Sequence, residues 1–390
     1  MADGPFSDIT VIDLTHVLSG PCCTMYLAEL GARVIKVEHS GHGDETRKFP
    51  PLVDGMSAYF ATMNRGKESI ALELDKQEDK ELLLEMIRRA DVVVENLRYA
   101  TLEHLGLDYE ALRRINPRLI YAAISAFGQT GPLHERCAYD PILQAMSGMM
   151  SINGQPGNPP TKVGTSIVDY FSGMFCLAGI EAALYQRTRT GEGAKVDIGM
   201  LDVQMSVLES ALMNALNGGP VPRALGNKHP AVTPCDTYDT ADRPIIIIAA
   251  NEDTFGRLCT AMGRPAIAAD PRFRTGVDRR ANDDALKAEM EAVLRTRPAA
   301  QWEEVFAAAG VPCAIVATVP EAVNLAQLRE RNMIIESGTI RMAGNPIKLS
   351  TLKDPPVRKP APQLDADGAA IRAEFTPQGK GHLISRIAPR

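Results

Sequence analysis

Along the first two hundred residues, hydrophobic and polar positions follow two rhythms. Short runs rich in β-branched residues at 9–13, 33–38, 69–74, 91–95, 119–125 and 194–198 read as strands, and between them apolar residues recur at helical spacing. In 77–89, for example, Leu82, Leu83, Met86 and Ile87 fall on one helix face, and a second helix is predicted over 22–30. Strands and helices in alternation predict a parallel sheet with both faces covered, that is, a doubly wound α/β layer. The stretch 168–187, dense in apolar and small residues and stopped by Thr190-Gly191-Glu192-Gly193, predicts a core helix.

A further helix is predicted over 201–217, closed by Gly218-Gly219-Pro220, and a domain boundary follows near residue 222. Beyond it the pattern becomes a short β-pair at 236–239 and 245–249 and then helices at 254–262, 281–295 and 300–309, which describe a small α+β domain. The expected organisation is therefore a large α/β domain over 1–222, a small domain over 223–318 and a return segment over 319–390 that completes the large one. The proline-rich stretch 355–362 is expected to pack back on the large domain, and 376–390 to be a disordered extension.

Composition narrows the function classes. A chain with 45% hydrophobic and 23% charged residues is built like an ordinary globular protein, and a net charge of −6 without a long basic run argues against a nucleic-acid partner. The seven cysteines are odd in number and scattered, with no Cys-x-x-Cys, so neither a disulfide framework nor a zinc site is expected. The apolar segments 171–184 and 244–250 are too short or too interrupted for the ~20 residues of a membrane span. The start of the chain lacks the basic and apolar regions of a secretory signal, so a cytoplasmic location is expected.

Two places draw attention as chemistry. The first strand ends in Asp13-Leu14-Thr15-His16-Val17-Leu18-Ser19-Gly20-Pro21, a turn of small residues before a helix, where open α/β sheets form ligand crevices. No Gly-x-Gly-x-x-Gly accompanies it, which disfavours a dinucleotide. The second is Asp169, near the start of the apolar helix. On the residues alone it reads first as a first-turn acid stabilising a helix N-terminus.

Several ordered segments, taken together, resemble the family III coenzyme A transferases. They include the run from Asp13 to Pro21, Leu30-Gly31-Ala32-Arg33-Val34-Ile35-Lys36-Val37-Glu38, Gly43-Asp44-Glu45-Thr46-Arg47, Asn64-Arg65-Gly66-Lys67, Glu95-Asn96-Leu97-Arg98, Tyr139-Asp140-Pro141 and Gly226-Asn227-Lys228-His229-Pro230. That family holds formyl-CoA:oxalate, carnitine and succinyl-CoA:dicarboxylate CoA-transferases as well as α-methylacyl-CoA racemase. The resemblance spans nearly the whole chain. It implies a Rossmann-like large domain with a smaller α+β domain and an interlocked homodimer.

The same resemblance implies that Asp169, in Gly164-Thr165-Ser166-Ile167-Val168-Asp169, is the catalytic carboxylate. It implies coenzyme A contacts at Leu18, Ser19, His39, Leu72 to Asp75, Asn96, Leu97, Arg98, His104 and Cys137 to Asp140, including Tyr139 and Asp140. Gly226 stands as the loop glycine that would cover an oxyanion. Coenzyme A thioester then enters as substrate and no permanently bound cofactor or metal is required. Leu18, His39, Asp75, His104 and Cys137 depart from the oxalate enzymes, which argues against oxalate, and similarity to members that handle succinyl-CoA implies succinyl-CoA as donor with hydroxylated or branched dicarboxylates as acceptors. Two other readings stay in view. The racemase typically places a His where this chain has Tyr139, and tyrosine is a poor base at neutral pH; a CoA-binding paralogue without turnover would keep Asp169 but transfer nothing.

Overall fold

Six strands, β1 (Thr10–Asp13), β2 (Arg33–His39), β3 (Glu68–Leu72), β4 (Val92–Glu95), β5 (Ile120–Ser125) and β6 (Ala194–Gly199), form one sheet in the order β3-β2-β1-β4-β5-β6. All five pairings are parallel. The protein is described by a computed structural model over residues 4–376, so most of the extension expected at 376–390 lies outside the described residues. The doubly wound α/β class read from the pattern is the observed one.

The two-residue period of the strands separates two cores. Val11, Val34, Val92, Val94, Ile120 and Ala122 meet helices α1 (Ser19–Glu29) and α4 (Ile167–Thr190) on one face. Ile12, Ile35, Ile70, Val93 and Tyr121 meet Leu83, Met86 and Ile87 of α2 (Gln77–Arg89) on the other. Helix α3 (Asp140–Met146) precedes α4 and adds Leu143 to the first core. The strand order reverses between β1 and β4, so the chain leaves these neighbours in opposite directions and opens a crevice at their carboxyl ends.

Two expectations about helices are corrected, the first by α4. It runs 24 residues, longer than the 171–184 segment judged too short, and by length and composition alone it could cross a membrane. Its Val168, Cys176, Leu177, Ile180 and Leu184 are instead packed into the sheet core. The helix expected over 201–217 is two, Met200–Ser206 and Glu209–Leu216. Glu209 takes a left-handed φ of 47° there, a break that no glycine or proline announces.

The chain divides into two compact units, one comprising Met1–Met149, Val163–Leu212 and Ala326–Arg390, the other Met150–Lys162 and Met213–Leu325. The second unit is built on an antiparallel sheet of β7 (Cys235–Tyr238), β8 (Ile245–Ile248) and β9 (Cys313–Ile315). Helices α5 (Glu252–Ala261), α6 (Asp283–Leu294) and α7 (Ala299–Ala308) close its core around Phe255, Leu258, Trp302 and Phe306. The Trp302 indole N–H donates to the Leu294 carbonyl at 2.8 Å, so the largest apolar side chain is buried without an orphan donor.

The end of the first unit covers the exposed edge of the parallel sheet. The Asp365 and Asp367 carboxylates accept from the backbone N–H groups of Ala71 (2.8 Å) and Ser69 (2.9 Å) on β3. The following helix α8 (Gly368–Phe375) places Ile371 and Phe375 in the second core. This end of the return segment therefore satisfies edge-strand groups that would otherwise invite pairing.

Candidate active site

The crevice at the β1 and β4 ends is lined by the turn after β1. Thr15 folds back so that its N–H and hydroxyl donate to Asp13 at 2.9 and 2.5 Å, and the Lys36 ammonium donates to its carbonyl at 2.7 Å. Asp13, Lys36 and Lys67 have no exposed surface. Burial alone would raise the Asp13 carboxyl, but Lys67 at 2.9 Å and Lys36 hold it well below the usual range. Burial pushes Lys67 down to about 8 against the pull of Asp13. Lys36 also pairs with Asp44 at 3.1 Å, and Asp44 accepts from Thr46 and from the Val17 N–H.

Helix α4 brings Asp169 to the same place. Gly173 allows the approach, since a Cβ there would meet the Ser19 carbonyl oxygen at 2.6 Å and Cys22 Cβ at 3.0 Å. The N-cap Ser166 makes no side-chain cap bond. Asp140 takes over, accepting from Val168 N at 2.7 Å and Asp169 N at 3.4 Å, while Gln144 donates to its other oxygen at 2.5 Å.

Asp169 is partly exposed, in its helix's first turn, and lines a cavity of about 340 Å³ together with His16, Val17, Leu18, Ser19, Arg98 and Tyr139. Burial, with Asp140 adding its charge, pushes the Asp169 carboxyl up to about 7. Tyr59, raised to about 12 by burial and then by Asp169, is a neighbour that no sequence motif marks. A second cavity of about 510 Å³ adjoins, lined by His39, Leu72, Asp75 and Leu105, and His16, Glu45 and Leu97 line both.

The structure thus gathers Leu18, Ser19, Leu97, Arg98, Tyr139 and Asp169 at one cavity and His39, Leu72 and Leu97 at the other. Four expected site residues are placed otherwise. Asp140 is buried and its carboxylate is engaged by α4 and Gln144, so it acts as a helix clamp. Asn96 lines the first cavity, but its amide is committed to backbone, accepting from His16 N and donating to His16 O, both at 2.9 Å. His104 is exposed at the end of a one-turn helix and lines neither cavity. Gly226 belongs to the second unit, where its N–H is already donated to the Gly154 carbonyl at 3.0 Å and is not free for an oxyanion.

Residues 6–368 match CoA-transferase family III. The chain is 50% identical to an acetyl-CoA:oxalate CoA-transferase of Acetobacter aceti, with 97% of each chain covered. It is 39% identical to a succinate–glutarate CoA-transferase of Agrobacterium fabrum over 95% of this chain and 96% of that one. Among solved structures, a CaiB/BaiF family protein from Brucella suis superposes with a TM-score of 0.86 at 38% identity, covering 95% of this chain and 99% of that chain. The chain belongs to CoA-transferase family III and is a CoA-transferring enzyme.

Proposed function

We propose that the enzyme moves coenzyme A from an acyl-CoA to a small dicarboxylic acid with Asp169 as its nucleophile. The observation that carries this reading is the position of that carboxylate, open to the cavity at the sheet's switch point and short of charge partners. In its ionised form Asp169 attacks the thioester carbonyl, the C–S bond breaks, and an acyl–aspartyl anhydride forms as the CoA thiolate leaves. The thiolate then attacks the aspartyl carbonyl and releases the donor acid, leaving an aspartyl-CoA thioester. The acceptor carboxylate attacks that thioester to give a second anhydride and free thiolate. Attack of the thiolate on the acceptor's acyl carbon releases the new acyl-CoA and returns the carboxylate.

Arg98, at the cavity rim, supplies positive charge for the anionic parts of coenzyme A. For the acids, the departures at Leu18 and His39 argued against oxalate, whereas a relative half identical to this chain carries oxalate in its name, and others carry succinate and glutarate. Oxalate with an acetyl-CoA or succinyl-CoA donor is therefore the first pair to test. The experiment is incubation with donor in hydroxylamine and peptide mass spectrometry. A hydroxamate at Asp169 is expected, absent in Asp169→Ala; turnover that survives the substitution would defeat the reading.

We also propose that the chain works as an interlocked homodimer. Phe171, Phe175 and Tyr185 stand on one side of α4 with 38%, 44% and 69% of their surface exposed, an apolar stripe that a second chain would cover. Sedimentation should show a dimer at all attainable concentrations. A cytoplasmic location fits seven free cysteines.

A further inference from the structure

Val17 is the residue in the cavity wall whose backbone most needs explanation. It is β-branched and holds a φ of +66°, a conformation with a real steric cost that persists only where its surroundings impose it. Two groups impose it from opposite sides. On the buried side, the Asp44 carboxylate accepts from Val17 N at 3.3 Å, is paired with Lys36 at 3.1 Å, and is fixed by Thr46 N and Oγ1 at 2.9 and 2.7 Å. Lys36 in turn holds the Thr15 carbonyl, so one ion pair fixes the residues on both sides of His16. On the open side, the Asn96 amide grips both the N–H and the carbonyl of His16 and donates to Ser19 Oγ at 3.2 Å.

We propose that Asp44 and Asn96 are positioning residues for acyl-CoA binding. Together they hold the Thr15–Ser19 turn in a strained shape that places His16 at the junction of the two cavities and Leu18 and Ser19 beside Asp169. This rests on the acyl-CoA reading of the cavities. It assigns Asn96 to the turn, where its hydrogen bonds are made, instead of to the ligand. It also gives a use to a buried charge network that takes no part in the proposed chemistry.

The test is suppression. Asp44→Asn removes the anion that Lys36 pairs with and weakens the acceptor that faces the Val17 N–H, and Asn96→Leu removes the grip on His16 without disturbing the buried ions. Each is expected to raise KM for acyl-CoA about tenfold with kcat held within a factor of about two, the scale of one released backbone strain. Val17→Gly, which takes positive φ without steric cost, should return KM to near the wild-type value in either background. If Asn96 contacted the ligand directly, glycine at 17 would not rescue Asn96→Leu, and the proposal would fall. Hydrogen exchange on the substrate-free protein gives an independent readout: exchange in the peptide covering 14–19 should quicken in Asn96→Leu, and unchanged exchange there would overturn the proposal even if Asp44→Asn failed to fold. Because this arm uses no substrate, its failure is separate from a missing hydroxamate at Asp169, which would count against the transfer reading alone.

Discussion

A nucleophilic carboxylate whose pKa is near 7 makes catalysis depend on pH in a range where ordinary carboxylates are silent. If Asp169 is the nucleophile proposed above, it must be ionised to attack, and kcat/KM, which reports the free enzyme, should rise with pH along a limb centred near 7. At pH 6 only about one-tenth of the enzyme would carry the anion, so kcat/KM should be roughly tenfold below its plateau. Burial is the larger cause and Asp140 the smaller, so Asp140→Asn, which keeps an oxygen acceptor for the α4 N–H groups but removes the charge, should move the limb down. As the smaller of two causes of the raised pKa, the Asp140 charge should account for about one pH unit, or about 1.4 kcal/mol. Initial rates of acyl-CoA loss from pH 5 to 9, with wild type and variant side by side, measure the shift. A wild-type limb below pH 5, or one that Asp140→Asn leaves in place, would refute the reasoning.

Stability should carry the same signature with a definite sign. A folded-state pKa above the unfolded one means that the native state binds the extra proton, so the stability present at acid pH is lost as pH rises through about 7. Glu95, raised to about 7 by its burial, contributes a slope of the same sign. The Asp169 part is therefore read as a difference: Asp169→Asn should gain on wild type between pH 5 and pH 8, by at most about 3 kcal/mol given solvent screening at a partly open site.

Two substitutions test the scaffold. Gly173→Ala would drive a Cβ to 2.6 Å from the Ser19 carbonyl, forcing α1 and α4 apart; about 1–3 kcal/mol of stability should be lost in denaturant unfolding, with a fall in kcat from the displaced Asp169. Lys67→Met leaves the fully buried Asp13 without its nearest cation and should cost about 3–5 kcal/mol, measured by urea unfolding at pH 7; a cost under about 1 kcal/mol would mean that Lys36 alone neutralises Asp13.

What the sequence disclosed of this enzyme follows from which forces are local. The strands of the parallel sheet were legible because β-branched runs such as Val92-Val93-Val94 are buried on both faces, and α2 because its apolar face repeats at helical spacing. The break at Glu209 and the left-handed Val17 were not, since no glycine or asparagine marks either position and the partner of the Val17 N–H is a carboxylate distant in sequence. The site divides the same way. Asp169 could be singled out only through resemblance, because a first-turn acid looks alike whether it stabilises a helix or attacks a thioester. Asp140 and Asn96 sit in the motifs that carry the resemblance, yet the structure spends one on the α4 N-terminus and the other on the His16 backbone. A motif marks residues that the site needs, and hydrogen-bond accounting then separates those left free to meet a ligand from those consumed in shaping the place where it binds.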